Sequence, residues 1–153
     1  MPQLVKGGKH VFGWSKVDDR GRIRISSEAF AEYRLNANEN VFLISGSRAS
    51  GGFGLTKPES LRASPLSLLL DECPDLARYI IPAGTAVRWG KKTCCWVKMG
   101  ERRFRLPPDT LACFGIRPGD RLLLVRGSGL ALGFIARGPI VEPARRHSEL
   151  ETC

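Results

Sequence analysis

Trp14-Ser15-Lys16-Val17-Asp18-Asp19-Arg20-Gly21-Arg22-Ile23-Arg24-Ile25 returns later in the chain as Trp96-Val97-Lys98-Met99-Gly100-Glu101-Arg102-Arg103-Phe104-Arg105-Leu106. The two stretches align once one residue near Gly21 is dropped from the second copy. The match then runs without gaps at a separation of 81. Glu28 falls on Asp109, Phe30 on Leu111, Ala31 on Ala112, Tyr33 on Phe114, Leu35 on Ile116 and Glu39 on Asp120. Val41-Phe42-Leu43-Ile44 falls on Leu122-Leu123-Leu124-Val125, and Gly46-Ser47 on Gly127-Ser128. Agreement in both residue class and order over roughly 45 residues marks an internal repeat, which has to be settled before any single element is read. Two copies are too few to stack as a solenoid, so the repeat predicts a pseudo-twofold pair.

Each copy reads the same way. A lead-in strand, Val11–Val17 or Thr93–Met99, meets a tight turn, Asp18–Gly21 or Gly100–Arg102, with turn-forming composition. In the next strand Ile23 and Ile25 alternate with Arg22 and Arg24, as Phe104 and Leu106 do with Arg103 and Arg105. That period puts apolar residues on one face and arginines on the other. A short helix follows. Ser26 or Ser27 can cap the first, and Pro107-Pro108-Asp109 opens the second. Phe30 and Tyr33, like Leu111 and Phe114, lie three apart on one helix face. Arg117-Pro118-Gly119-Asp120 is a strong turn, and Asn36-Ala37-Asn38-Glu39 is its weaker counterpart. A short buried strand, a Gly/Ser-rich hairpin and a last strand, Phe53–Thr56 or Leu130–Ala136, complete the unit. Between the copies, Pro58–Ala63, Ser67–Cys73 and Pro74–Ile81 read as short helices. Leu66, Leu68, Leu69 and Leu70 suit core or interface. The expected organisation is a first unit over 11–56, a helical connector over 57–90, a second unit over 91–142 and a polar tail over 143–153.

Composition agrees. A chain of 153 residues and 16.9 kDa suits one domain or two very small ones. Apolar residues at 42% can supply a core, while 17 glycines and 10 prolines favour turns and short strands over long helices. No apolar run approaches the roughly 18 residues of a membrane span. Met1–Lys9 shows no apolar stretch leading to a cleavage site, so a cytoplasmic protein with no membrane partner is expected. The five cysteines are odd in number and lack any Cys-x-x-Cys pair, which suits a reducing compartment. Cys94 and Cys95 are adjacent and point to opposite faces of a strand, where they serve as buried structural thiols. With only His10 and His147, no metal cluster, cofactor site or nucleophile–base arrangement emerges, and no enzyme is expected. Gly51-Gly52 and Gly127-Ser128-Gly129 lack a following Gly-Lys-Ser/Thr, so they read as hairpin turns and not phosphate loops. Trp14 and Trp96 hold matched places on the lead-in strands and read as core or rim.

Charge is unevenly spread. The net charge is +9. Residues 91–147 hold twelve basic against four acidic side chains, giving +8, while residues 13–56 hold six against five, giving +1. Clustered positive charge points to a polyanion.

The second copy carries Arg103-Phe104-Arg105-Leu106-Pro107, Leu111 and Phe114-Gly115-Ile116-Arg117-Pro118-Gly119-Asp120-Arg121-Leu122, and the first carries Val17 to Ile25. This order of strand, turn, Gly/Arg-rich strand, short helix, Gly-Asp turn and hairpin resembles the AbrB/SpoVT/MazE swapped-hairpin family over about two-thirds of the chain. The resemblance implies a mainly β fold with short helices. Two swapped-hairpin units interlock into a small pseudo-twofold β-barrel, closed within the chain or with a second copy as a homodimer or higher oligomer. It also implies a DNA-binding transcription regulator with duplex DNA as partner. The DNA-binding positions that carry over are Lys16, Arg20, Arg22 and Arg24 in the first copy, and Lys98, Arg102, Arg103 and Arg105 in the second. Ser26 stands where the family has proline, Asn38-Glu39 where it has Gly-Asp, and Phe30-Ala31 and Leu111-Ala112 where DNA binders often carry helix arginines. The alternative is a protein-interaction module, antitoxin-like or a scaffold, with segment 66–70 as its docking face for a protein partner.

Overall fold

Neither lead-in strand pairs within its own repeat. The computed structural model describes residues 10–46, 50–127, 131–138, 141, 145 and 152. The expectations at Ser47, Ser128, Gly129 and Leu130, and for most of the tail 143–153, lie outside these residues. The first repeat gives β1 (Val11–Lys16), β2 (Arg22–Arg24), α1 (Ser27–Glu32), β3 (Asn40–Ser45) and β4 (Phe53–Thr56). The connector gives α2 (Pro58–Arg62), α3 (Leu68–Glu72), α4 (Pro74–Ala77) and β5 (Val87–Trp89). The second repeat gives β6 (Lys92–Lys98), β7 (Arg103–Arg105), α5 (Pro108–Cys113), β8 (Arg121–Arg126) and β9 (Leu132–Ile135).

β1 pairs antiparallel with β8 of the other repeat, and β6 pairs likewise with β3. β4 lies against β9 with Gly54 opposite Gly133, and β2 lies against β7 with Ile23 opposite Phe104. The hydrogen bonds come in reciprocal sets at matched positions. Val17 N–H donates to the Asp120 carbonyl at 2.9 Å, and Met99 N–H to that of Glu39 at 2.8 Å. Ile25 N–H donates to the Arg102 carbonyl at 2.7 Å, and Leu106 N–H to that of Gly21 at 2.9 Å. The repeat read in the sequence is therefore a repeat of backbone pairing too.

The strands alternate as their sequences require. Val41, Leu43, Phe53, Leu55, Cys95, Val97, Leu122, Leu124, Leu132 and Phe134 face one large core with Ile23, Phe104, Leu106 and Leu111. Phe42, Ile44 and Cys94 face the other way, under Leu61, Leu69, Leu70 and Leu76 of the connector. Leu123, Val125 and Trp14 form a third cluster with Val11 and Val141. The helices are brief because each supplies a single apolar patch. Ser26 caps α1 by accepting from Ala29 N–H at 3.2 Å, and Pro108 sits in the first turn of α5. Leu111 and Phe114 are buried, while Phe30 and Tyr33 pack against the core half-buried.

The molecule is mainly β with a few short helices, but its strands do not close into the expected barrel. The seven-stranded sheet runs β1-β8-β9-β4-β3-β6-β5 as an open row, and β2 and β7 form a separate two-stranded sheet. β2 and β7 are three residues long and pair only with each other, so they do not join the row. The connector is not wholly helical: its last residues add β5 beside β6, Val87 opposite Cys94. Leu69 and Leu70 are buried, and of the leucine-rich segment only Leu68 is well exposed. No helix of the described residues is long and apolar enough to cross a membrane.

Candidate nucleic-acid interface

The two-stranded sheet turns four arginines outward. Ile23 and Phe104 are buried in its middle, at 0% and 3% exposure, so the alternation sends Arg22, Arg24, Arg103 and Arg105 to the opposite face. Arg22 stands opposite Arg105, and Arg24 opposite Arg103. Like charges directly across a ribbon are destabilising. The apolar face beneath offsets that cost: the Phe104 ring meets those of Phe53 and Phe134 edge-on, each at 5.9 Å.

The turns before the two strands are built differently. In the first, Asp18 accepts the backbone N–H groups of Arg20 and Arg22, both at 2.9 Å, and the Arg22 Nε–H at 2.6 Å. These bonds, with the Arg22 backbone N–H first among them, hold the Asp18 carboxyl below its ordinary range. Gly21 follows with φ +77°, and a Cβ there would lie 2.1 Å from the Leu106 carbonyl oxygen. In the second turn the matched position is Arg102, with φ +57° and an exposed side chain. A left-handed arginine is a strained residue. Arg105 Nε–H donates to the Arg20 carbonyl at 3.0 Å, tying the second strand to the first turn.

Six of the eight basic positions read from the sequence thus gather around one ribbon: Arg20, Arg22, Arg24, Arg102, Arg103 and Arg105. Lys16 and Lys98 do not lie on it. They end β1 and β6, which stand five places apart in the large sheet, Lys16 opposite Arg121 and Lys98 opposite Asn40. Seven of the eight are exposed and Arg22 is half-buried. The carboxylates on the two turns are Asp18, Asp19 and Glu101, and Asp18 is committed to Arg22. The sequence reading passed over Arg121, whose guanidinium lies 4.6 Å from the centroid of the Trp14 ring. Its match in the first repeat is Asn40, so a search for basic residues kept in both copies could not find it. Its signal was its place directly after the Gly119-Asp120 turn.

The remaining candidates have structural places. Trp14 is buried, and the half-buried Trp96 donates its indole N–H to the Ile81 carbonyl at 2.6 Å. Cys94 and Cys95 face opposite clusters, and burial pushes each thiol up to about 12. Gly52 has φ +75°, and a Cβ there would strike the Phe134 carbonyl oxygen at 1.9 Å, so the hairpin requires glycine.

Comparison with known proteins gave no match, whether to a family model, to a curated protein or to a solved structure.

Proposed function

We propose that the chain is a DNA-binding transcription regulator of the AbrB/SpoVT type, with two swapped-hairpin units folded onto each other within one chain. The observation that carries this reading is the ribbon: four outward arginines on two paired strands, one from each repeat, over a buried Ile23–Phe104 pair. A two-stranded ribbon fits the major groove of B-form DNA. The guanidinium fork serves both phosphates and base edges, with guanine the favoured base. The reciprocal pairing of β1 with β8 and β6 with β3 supports the swapped-hairpin part. The family resemblance in the second copy supports the choice of DNA among polyanions.

Fluorescence anisotropy of the full chain against random duplex DNA, at several salt concentrations, tests the reading. The affinity should fall linearly on a log–log salt plot, by about 0.9 per phosphate neutralised, so eight contacts set the steepest slope at about −7. Absence of binding at low salt overturns it.

A further inference from the structure

Directly behind the aromatic cluster that carries the ribbon, no described residue covers the large sheet. Gly54 and Gly133 face each other on the central strands β4 and β9, on the face away from the main core. The connector covers the sheet on one side of them, and Val141 packs over Leu123 and Val125 on the other. Between these covers runs an open groove of about 890 Å³. Its floor is the Gly54 and Gly133 backbone, and Ile44, Leu66, Val125 and Ile135 stand among its walls. That volume falls within the range of small-molecule sites, which pair apolar walls with a few polar groups that orient the ligand.

Lys92, at the start of β6, is the only charged side chain among the described residues that line the groove. No carboxylate lines it among the described residues. The Ser60 hydroxyl adds a neutral polar group from α2. A half-buried lysine beside an apolar trough favours a ligand with an anionic head and an apolar body.

We propose that this groove binds a small amphiphilic anion, its apolar body lying on the Gly54–Gly133 floor and its carboxylate or sulfonate meeting Lys92. A lone glycine pair would not define a site. The walls, the volume and the Lys92 cation together do. The site lies across the core from the arginines, and it stands or falls separately from the DNA reading.

The full chain is titrated with 8-anilinonaphthalene-1-sulfonate and with its neutral analogue N-phenyl-1-naphthylamine. Saturable binding of the sulfonate at one site per chain is expected. Gly54 has an ordinary backbone φ, and a Cβ there meets only the Ala131 Cβ at 3.5 Å, so a side chain can begin there without strain or clash. Gly54→Leu fills the trough and should weaken both probes by about tenfold or more, the loss expected when buried apolar contact is replaced by a filled site. Ser60→Leu fills the same space from the wall and decides the matter if Gly54→Leu fails to fold. Lys92→Gln should weaken the sulfonate by about fivefold, as for loss of one charge-assisted contact, and leave the neutral probe unchanged. Binding that does not saturate, or that survives both groove-filling variants, overturns the site. Equal loss of both probes, or of neither, in Lys92→Gln overturns the anionic ligand.

Discussion

Arg102 occupies a backbone conformation that glycine would adopt without strain, and its counterpart in the first repeat is Gly21. Arg102→Gly should therefore raise stability by up to about 1 kcal/mol in urea unfolding, while DNA affinity falls. An arginine kept only for solubility would show the first effect without the second. Gly21→Ala is the converse case. The new Cβ would meet the Leu106 carbonyl, so unfolding should become easier by about 2 kcal/mol or more. Two carboxylates set a pH dependence. Asp18 is held low by the Arg22 backbone N–H, and Glu32 by a bidentate pair with Arg126 at 2.5 and 2.7 Å. A carboxyl whose value is depressed on folding contributes stability above its unfolded value and loses it as pH falls through the folded one. The urea midpoint should therefore be lower at pH 3 than at pH 7, and the gap should narrow in Asp18→Asn/Glu32→Gln. Cys95, buried within the core and with its thiol raised to about 12, should react with iodoacetamide only as fast as the whole fold opens.

Among the elements, the β2–β7 ribbon concentrates the functional reading. Asp18 partly neutralises the first repeat's side of it, whereas no carboxylate among the described residues pairs with Arg102, Arg103 or Arg105. Replacing Arg102, Arg103 and Arg105 together by alanine should cost more DNA affinity than replacing Arg20, Arg22 and Arg24. Equal losses in anisotropy titrations would refute the asymmetry. Elements with a local signature were legible in the sequence. β4 runs over Phe53–Thr56 as expected, and α1 and α5 begin where Ser26 and Pro108 place them. β5 was not legible. Val87-Arg88-Trp89 is too short to show a period, and only its pairing with β6 makes it a strand. α4 stops at Ala77, short of the expected Ile81, because the left-handed Tyr79 turns the chain out of the helix.

For the whole molecule, the internal repeat predicted a pseudo-twofold pair, but not which strands would pair across the two copies, nor that the large sheet would stay open. Closure depends on which edges meet, and neither hydropathy period nor turn chemistry encodes that. The site followed the same division. Alternation revealed that the arginines share a face. Their opposition across β2 and β7, and the place of Lys16 and Lys98 on other strands, belong to tertiary pairing. Each repeat's exposed strands are satisfied by the other, so the thermal midpoint should not change with protein concentration over a hundredfold dilution series. A midpoint that rises with concentration would mean that a second chain completes the fold.

Reciprocal pairing inside one polypeptide also changes the arithmetic of dose. An assembly of two identical chains must first find its partner, and at low abundance the amount of active species grows with the square of the chain concentration. Here β1 meets β8 and β6 meets β3 without any encounter between molecules. Under the proposed DNA-binding function, occupancy of a target should then track expression linearly down to very few copies per cell. A substitution in one half also appears once per assembly and not twice, so each half can drift in preference while the other stays fixed.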